Sequence, residues 1–200
     1  MVKKGKNKSN SKKEEGNKED MPTPAQVNSK STIVIAGDSI ISELQGWKMG
    51  NKENRVIINS FSGATVDDMR DHIKPIVRRK ANNLIIHCGT NNLQMDKAND
   101  IAEKIIDVCQ YVADELPECK IAISELIQRA DSTTLESARK SVNKSLRAFC
   151  RSRDWDIISH TVTEAGLNSK ELHLNKSGLS PWLETSSVIS NLTYDFQVRL

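Results

Sequence analysis

The sequence contains no apolar run of the roughly 20 residues that a membrane-spanning helix needs. Its N-terminus also lacks the short apolar segment of a secretory signal peptide. The first absence predicts that no helix crosses a membrane, and the second argues against secretion. We therefore expect a cytoplasmic or nuclear protein.

Cysteine is scarce, and Cys88, Cys109, Cys119 and Cys150 show no CxxC spacing. We interpret them as reduced, mostly buried thiols rather than disulfide partners or metal ligands. No cluster of histidines and carboxylates has the spacing of metal ligands, and no glycine-rich loop has the lysine and glycine spacing of a phosphate-binding loop. The sequence therefore predicts a protein with no metal and no other cofactor.

Aromatic residues make up only 4% of the chain and hydrophobic residues only 37%. The shortage is concentrated in residues 1–30, which hold eight lysines, four acidic residues and no aromatic residue. Such a segment buries too little apolar surface to offset the entropy lost on ordering. We expect a disordered basic tail over residues 1–30 and one folded domain over residues 31–200. The tail carries a net charge of +4, so it is either a solvated linker or a weak contact for RNA or DNA.

Short β-branched runs alternate with amphipathic stretches along residues 31–200. The runs predict five strands, at residues 33–36, 56–59, 84–88, 120–126 and 156–160. Helical spacing of apolar side chains predicts a helix from Val66 to Val77, capped by Thr65 and bent at Pro75, and a last helix between Trp182 and Phe196. This alternation predicts an α/β fold, a three-layer α/β/α sandwich with a five-stranded parallel sheet in the flavodoxin-like order 2-1-3-4-5.

Small or polar residues follow each of the first three predicted strands. Gly37-Asp38-Ser39 follows strand 1, a turn with Gly63 follows strand 2, and Gly89-Thr90-Asn91 follows strand 3. In the order 2-1-3-4-5, strand 1 lies between strands 2 and 3, so the three turns meet beyond the carboxyl ends of the strands. Parallel sheets bind their ligands there. The sequence therefore predicts a functional site at which Ser39 is presented by a buried strand.

These turns, with His173 in the later stretch LHLNKSG, resemble the four sequence blocks of the SGNH (GDSL-type) hydrolase family. The resemblance extends from about residue 32 to residue 195. The wording GDSI, SGAT, HCGTN and HLN is also similar to the SGNH-like domains in open reading frames of animal retrotransposons. The resemblance implies the SGNH hydrolase fold and a serine esterase or acyl hydrolase that acts on a small ester substrate.

The resemblance also implies a role for each matched residue. Ser39 would be the nucleophile and His173 the general base. The amides of Ser39 and Gly63 and the side chain of Asn91 would form the oxyanion hole. A serine hydroxyl needs a base before it attacks, and converging donors stabilise the oxyanion that then forms. His160, at the end of strand 5, is the rival candidate for the base.

The sequence departs from the family's pattern at two positions. Lys170 replaces the aspartate that the family has three residues before the histidine, and Asn92 replaces an aspartate after Asn91. In serine triads the acid that fixes the histidine tautomer is worth up to about 10⁴ in turnover. Glu171, Glu164 or a backbone carbonyl could orient the histidine instead, or the site no longer hydrolyses anything. The candidate supporting residues are Asp38, Glu171 and Asn92.

Two functions follow from this pattern. The first is an SGNH-type serine hydrolase, an esterase that cleaves carboxylic esters through a Ser-His pair and an acyl-enzyme. The second is a catalytically weak or inactive SGNH-like domain of a retrotransposon-derived protein, with a binding or assembly role and RNA contact through the basic tail. Lys170 favours the second function. The presence of Ser39, Gly63, Asn91 and His173 favours the first.

We assign no step of the reaction to four other residues, namely Glu125, Arg129, His72 and His87. Glu125 and Arg129, in the stretch SELIQR that ends strand 4, either rim the site or are two independently solvated charges, and the sequence favours the second interpretation. His72 is predicted to be solvated on its helix, and His87 to be a buried residue that supports the core or the site.

Overall fold

The computed structural model describes Met1, residues 30–129 and residues 131–160. Most of the predicted tail over residues 1–30 and the predicted last helix between Trp182 and Phe196 lie outside the described residues. Across the described ranges, no helix is both long enough and apolar enough to cross a membrane.

The described strands form one parallel sheet. Their bounds are Ser31–Gly37 (β1), Asn54–Ser60 (β2), Asn83–His87 (β3), Lys120–Ser124 (β4) and Asp156–Ile158 (β5). The order across the sheet is β2-β1-β3-β4-β5, which confirms the predicted fold. Gly37, the last residue of β1, pairs with Ser60 of β2 and with His87 of β3. The carboxyl ends of these three strands are therefore level with one another.

Helices connect the strands in the described part of the chain. Their bounds are Gly46–Met49 (α1), Val66–His72 (α2), Lys74–Arg78 (α3), Ala98–Glu115 (α4) and Thr133–Arg153 (α5). The single bent helix predicted from Val66 to Val77 is two short helices that meet at Ile73. Proline has no amide N–H and disfavours helical backbone in the residue before it, so the helix breaks just ahead of Pro75.

Thr65 caps α2 as predicted. Its hydroxyl accepts a hydrogen bond from the Asp68 amide at 3.3 Å, and the Asp68 carboxylate accepts one from the Thr65 amide at 2.9 Å. This reciprocal pair satisfies two amides that have no partner within the helix. The cap makes α2 begin at Val66, directly after the turn that contains Gly63.

Apolar side chains cover both faces of the sheet. On one face, strand residues such as Val34 and Ile86 pack against helix residues such as Ile105 of α4. On the other face, Ile35 packs with Ile41, which follows β1 in a short 3-10 turn. Strands buried on both faces are continuous apolar runs in sequence, which is why their positions were predictable.

The cysteines are free thiols, as interpreted from the sequence. Cys88, Cys109 and Cys150 are buried and Cys119 is half-buried. Burial raises the pKa of Cys119 and of Cys150 to about 11. A thiol with so high a pKa carries little reactive thiolate at neutral pH.

Candidate active site

Ser39 lies directly beyond β1, where it opens the 3-10 turn Ser39–Ile41. Asp38 caps this turn, because its carboxylate accepts a hydrogen bond from the Ile40 amide at 3.0 Å. The Asp38 backbone is held from both neighbouring strands: its amide donates to the His87 carbonyl at 3.1 Å, and its carbonyl accepts from the Ser60 hydroxyl at 3.0 Å. The half-buried Ser39 is therefore attached to a rigid point of the sheet.

Gly37 permits the close approach of β1 and β3 beneath this turn. A Cβ atom at this position would lie 2.3 Å from the His87 carbonyl oxygen. Real Cβ atoms do not approach backbone so closely, so any larger residue would force the two strands apart. The glycine ahead of Asp38 and Ser39 is thus needed by the sheet itself.

Gly63 and Asn91 come from the turns beyond β2 and β3, and the two turns are joined. Gly63 has a φ of +74°, in the left-handed region that favours glycine. Among the described residues, a Cβ atom there would meet nothing within 4 Å, so the backbone conformation and not crowding requires glycine. The Asn91 side chain donates from Nδ2 to the Ala64 carbonyl at 2.8 Å. An amide NH₂ has two hydrogens, and this bond uses one of them.

Asn92 ties the turn after β3 to the start of α2. Its side-chain oxygen accepts from the Val66 amide at 2.9 Å, and its Nδ2 donates to Asp96 at 2.7 Å. Lys104 pairs with the same Asp96 at 3.1 Å and with Asp67 at 2.7 Å. An aspartate at position 92 would place two carboxylates within hydrogen-bond distance. The asparagine therefore suits this chain, and its departure from the family's pattern is structurally compensated.

Asp38 is fully buried, and burial raises its pKa to about 6. The hydrogen bond from the Ile40 amide and the nearby polar groups of Thr90 oppose this shift without cancelling it. At neutral pH the carboxylate is ionised beside Ser39, in surroundings that disfavour the charge. Carboxylates in such surroundings are concentrated at functional sites.

The wild-type protein is expected to lose stability through Asp38 as pH rises. The Asp38→Asn variant should not show this loss. The folded carboxyl takes up its proton near pH 6 and the unfolded one near 3.8, so the folded state binds more protons between these values. This contribution is complete below the unfolded pKa and is lost as pH rises through 6. About two pKa units correspond to about 3 kcal/mol. Urea unfolding from pH 4 to pH 8 measures the difference between the two proteins.

Asparagine is the matched replacement, because it keeps an oxygen for the Ile40 amide and cannot ionise. The comparison is between pH dependences, so a constant loss in the variant does not affect it. Equal pH dependences for wild type and Asp38→Asn would contradict the expected result.

A row of hydrogen-bonded side chains crosses the carboxyl ends of β3, β4 and β5. His87 Nδ1 lies 2.8 Å from the Ser124 hydroxyl, and the same hydroxyl lies 2.7 Å from His160 Nε2. Burial lowers the pKa of His87 to about 3, with a further lowering from His160, and burial lowers the pKa of His160 to about 4. Both rings are therefore neutral at physiological pH. His160, the rival candidate for the general base, belongs to this row.

The predicted general base, His173, lies outside the described residues. So do Lys170, Glu171 and Glu164, and the pairing of His173 with Ser39 stays a prediction. His72 differs from its interpretation as a solvated residue, since it is half-buried and stacks on Phe61 with ring centroids 4.1 Å apart.

The interpretation of Glu125 and Arg129 as solvated charges is wrong. Each is only 4% exposed, and each is paired, Arg129 with Asp131 and Glu125 with Arg147. Arg147, the partner of Glu125, lies 22 residues further along the chain, so the local pattern did not indicate that pair, whereas Asp131 is two residues from Arg129. The buried Leu126 and Ile127 between them were the available signal that this segment is not a solvated loop.

Within residues 30–129 and 131–160, no group of three histidine, cysteine, aspartate or glutamate side chains is arranged to hold a metal ion. The expectation of a protein with no metal and no cofactor stays a prediction for the chain as a whole.

Solved structures with the same fold include lipolytic hydrolases and esterases. A member of the lipolytic G-D-S-L family from Veillonella parvula is 16% identical, with a TM-score of 0.66, and the match covers 79% of this chain and 96% of that one. A lipase/acylhydrolase from Enterococcus faecalis is 18% identical, with a TM-score of 0.64 and the same coverages. A carbohydrate acetylesterase from Sinorhizobium meliloti is 13% identical, with a TM-score of 0.67, covering 82% of this chain and all of that one.

At sequence identities of 13% to 18%, these structures show a shared fold and no more. No family model and no curated protein matches the sequence.

Proposed function

We propose that the protein is a serine hydrolase of the SGNH type that cleaves small carboxylic esters. The observation that carries this proposal is the convergence of three turns at level strand ends. The turn with Ser39 follows β1, the turn with Gly63 follows β2, and the turn with Asn91 follows β3, and Asn91 is bonded across to Ala64. The fold shared with esterases and acylhydrolases supports it.

In the proposed reaction, the Ser39 hydroxyl oxygen attacks the ester carbonyl carbon while His173 takes the hydroxyl proton. The carbonyl oxygen becomes an oxyanion, which accepts hydrogen bonds from the Ser39 amide, the Gly63 amide and Asn91 Nδ2. His173 then gives its proton to the leaving alcohol, and an acyl-enzyme remains on Ser39. Water, deprotonated by the same histidine, releases the acid and restores the serine.

The donor geometry suits this chemistry. Gly63 has a positive φ, which residues with a side chain rarely adopt. Among the described residues, no atom lies within 4 Å of the position that a Cβ atom would take there. The bond to Ala64 holds the Asn91 amide plane and leaves its second N–H for a ligand. Donors that are fixed before the reaction stabilise developing charge without reorganising, which is usually the largest single contribution to catalysis.

Lys170 stands where the SGNH pattern has an aspartate. In this proposal Glu171, Glu164 or a backbone carbonyl orients His173 instead. The row of neutral side chains formed by His87, Ser124 and His160 lies at the carboxyl ends of β3, β4 and β5. The kinship with retrotransposon domains, RNA contact through residues 1–30 and the cytoplasmic or nuclear location stay predictions.

Labelling with a fluorophosphonate probe tests the proposal, because such probes react with activated serines. We expect the wild-type protein to be labelled on the peptide that contains Ser39, and Ser39→Ala and His173→Ala to remain unlabelled. Ser42→Ala is the matched control, since Ser42 is an exposed serine at the end of the same turn, and it should be labelled like wild type. Labelling that persists in Ser39→Ala, or a folded wild-type protein that takes no label, would overturn the proposal.

A further inference from the structure

Arg129 has a buried guanidinium that contacts the turn after β3. Its side chain is 2% exposed. Nε and Nη2 form a bidentate pair with the Asp131 carboxylate, at 2.8 Å for Nε, and Nη1 donates to the Thr90 carbonyl at 3.3 Å. The Thr90 carbonyl belongs to the peptide bond that joins Thr90 to Asn91. One charged side chain therefore connects the segment after β4 to the candidate oxyanion donor.

The segment after β4 is anchored to α5 without help from the Arg129 side chain. Arg139 donates to the Leu126 carbonyl at 2.9 Å and binds Glu136 through two hydrogen bonds of 2.7 Å. Asn143 binds both backbone groups of Leu126, at 2.9 and 3.0 Å. These contacts hold the loop at Leu126, and the Arg129 amide donates to Glu136 at 3.1 Å, so none of them involves the Arg129 guanidinium.

Burying a guanidinium is costly unless its partners are well placed. The Asp131 side chain is 29% exposed, so it could be hydrated without Arg129. The Thr90 carbonyl is the other partner, and Thr90 is itself only 4% exposed. Of these two hydrogen-bond partners of the Arg129 side chain, the Thr90 carbonyl is thus the one that lies outside the segment after β4.

Thr90 is held from two sides. Its carbonyl accepts from Arg129 Nη1 at 3.3 Å and from the Leu93 amide at 3.4 Å. These contacts fix the plane of the Thr90–Asn91 peptide bond. That plane places the Asn91 nitrogen and Cα atom, from which the side chain starts, and the bond from Nδ2 to the Ala64 carbonyl holds its far end.

We infer that Arg129 is a positioning residue, which orients the Asn91 amide toward the oxyanion by holding the Thr90 carbonyl. This inference rests on the proposed hydrolase function. It assigns a role in catalysis to a side chain that does not touch the substrate.

The test compares Arg129→Met with Arg139→Met, on p-nitrophenyl acetate as the substrate. Both changes remove a guanidinium that holds the segment after β4, but only the first removes the contact with Thr90. We expect Arg129→Met to lower kcat about 10- to 100-fold with little change in KM, since misplacing a catalytic group by about 1 Å can cost 10²-fold. Arg139→Met should keep a kcat close to wild type. Arg129→Lys, which keeps the charge without the forked geometry, replaces Arg129→Met if the latter does not fold.

A double variant separates positioning from a general loss of structure. If Arg129 acts through Asn91, then Arg129→Met combined with Asn91→Ala should be no slower than Asn91→Ala alone. Additive losses, or equal losses in the Arg129 and Arg139 variants, would overturn the inference and leave the proposed hydrolase intact.

The side-chain amide resonances of ¹⁵N-labelled Asn91 provide a readout that does not depend on turnover. They should shift in Arg129→Met and stay in place in Arg139→Met. Unshifted resonances in Arg129→Met would overturn the positioning role even in a protein without activity. Absence of both turnover and probe labelling in the wild type would instead overturn the proposed function, and with it the catalytic consequence of that role.

Discussion

His87→Asn is expected to lose less stability in acid than the wild-type protein. The difference in the loss of unfolding free energy is about 3 kcal/mol from pH 7 to pH 4 and about 4 kcal/mol from pH 7 to pH 3. The unfolded ring takes up a proton near pH 6.5, but burial lowers the pKa of folded His87 to about 3. Between these values the unfolded state binds more protons. The stabilisation is present above pH 6.5 and is lost as pH falls through 3. Asparagine cannot ionise, so the variant lacks this contribution.

Urea unfolding at pH 7, 4 and 3 measures the effect, and Ser124→Ala is the informative control. Burial is the largest cause of the low His87 pKa, so removing the hydroxyl that bonds both rings should leave most of the acid sensitivity. Asparagine also leaves a small cavity, which lowers stability at every pH and does not affect the comparison. Parallel pH dependences for wild type and His87→Asn would show that His87 does not carry the acid sensitivity.

His87 and Asp38 act in opposite directions over the same pH interval. As pH falls, the folded protein loses stability through His87. It gains stability through Asp38, because that carboxyl takes up its proton in the folded state below pH 6. In the wild-type profile, Asp38 therefore offsets part of the acid sensitivity that His87 contributes. The single variants should diverge from wild type with opposite signs.

Asn91→Ala is expected to lower kcat for p-nitrophenyl acetate about 10²- to 10³-fold, which is the usual effect of removing one oxyanion donor. The variant loses the Nδ2 donor, whose other hydrogen is held on the Ala64 carbonyl. The donor acts on the oxyanion and hardly on the ground-state ester, so KM should change little. Steady-state kinetics at saturating substrate measures the loss.

Gln94→Ala is the control for this variant, because Gln94 is an exposed residue of the 3-10 turn Asn91–Gln94, which Asn91 opens. It should keep the wild-type kcat. Unfolding curves of both variants show whether loss of the bond to Ala64 has loosened the turn. An unchanged kcat in a folded Asn91→Ala protein would show that Asn91 does not stabilise the transition state.

Much of the fold was predictable because its signals are local. The runs of β-branched residues at 33–36 and 84–88 alternate with amphipathic stretches, and hydrophobic period reports local structure directly. The cap at Thr65 and the break before Pro75 likewise depend on neighbours within a few residues. The strand order was predicted as the flavodoxin-like order, which is common among parallel sheets of five strands.

The network around the candidate site was less predictable because its partners are far apart in sequence. Glu125 pairs with Arg147, and Arg129 reaches back to Thr90. Charged residues in a loop are solvated in most proteins, so the sequence favoured that interpretation for Glu125 and Arg129. Only the packing of the loop against α5 and the turn after β3 buries them and gives them partners.

The sequence by itself determined the alternation of strands and helices, the parallel sheet and the placement of Ser39, Gly63 and Asn91 at successive strand ends. These features depend on short-range pattern and on topology rules that hold for any parallel sheet. The tertiary structure alone decided which polar groups are buried together, and so set the raised pKa of Asp38 and the lowered pKa of His87. Burial and hydrogen bonding depend on distances across the fold, which no local pattern of residues specifies.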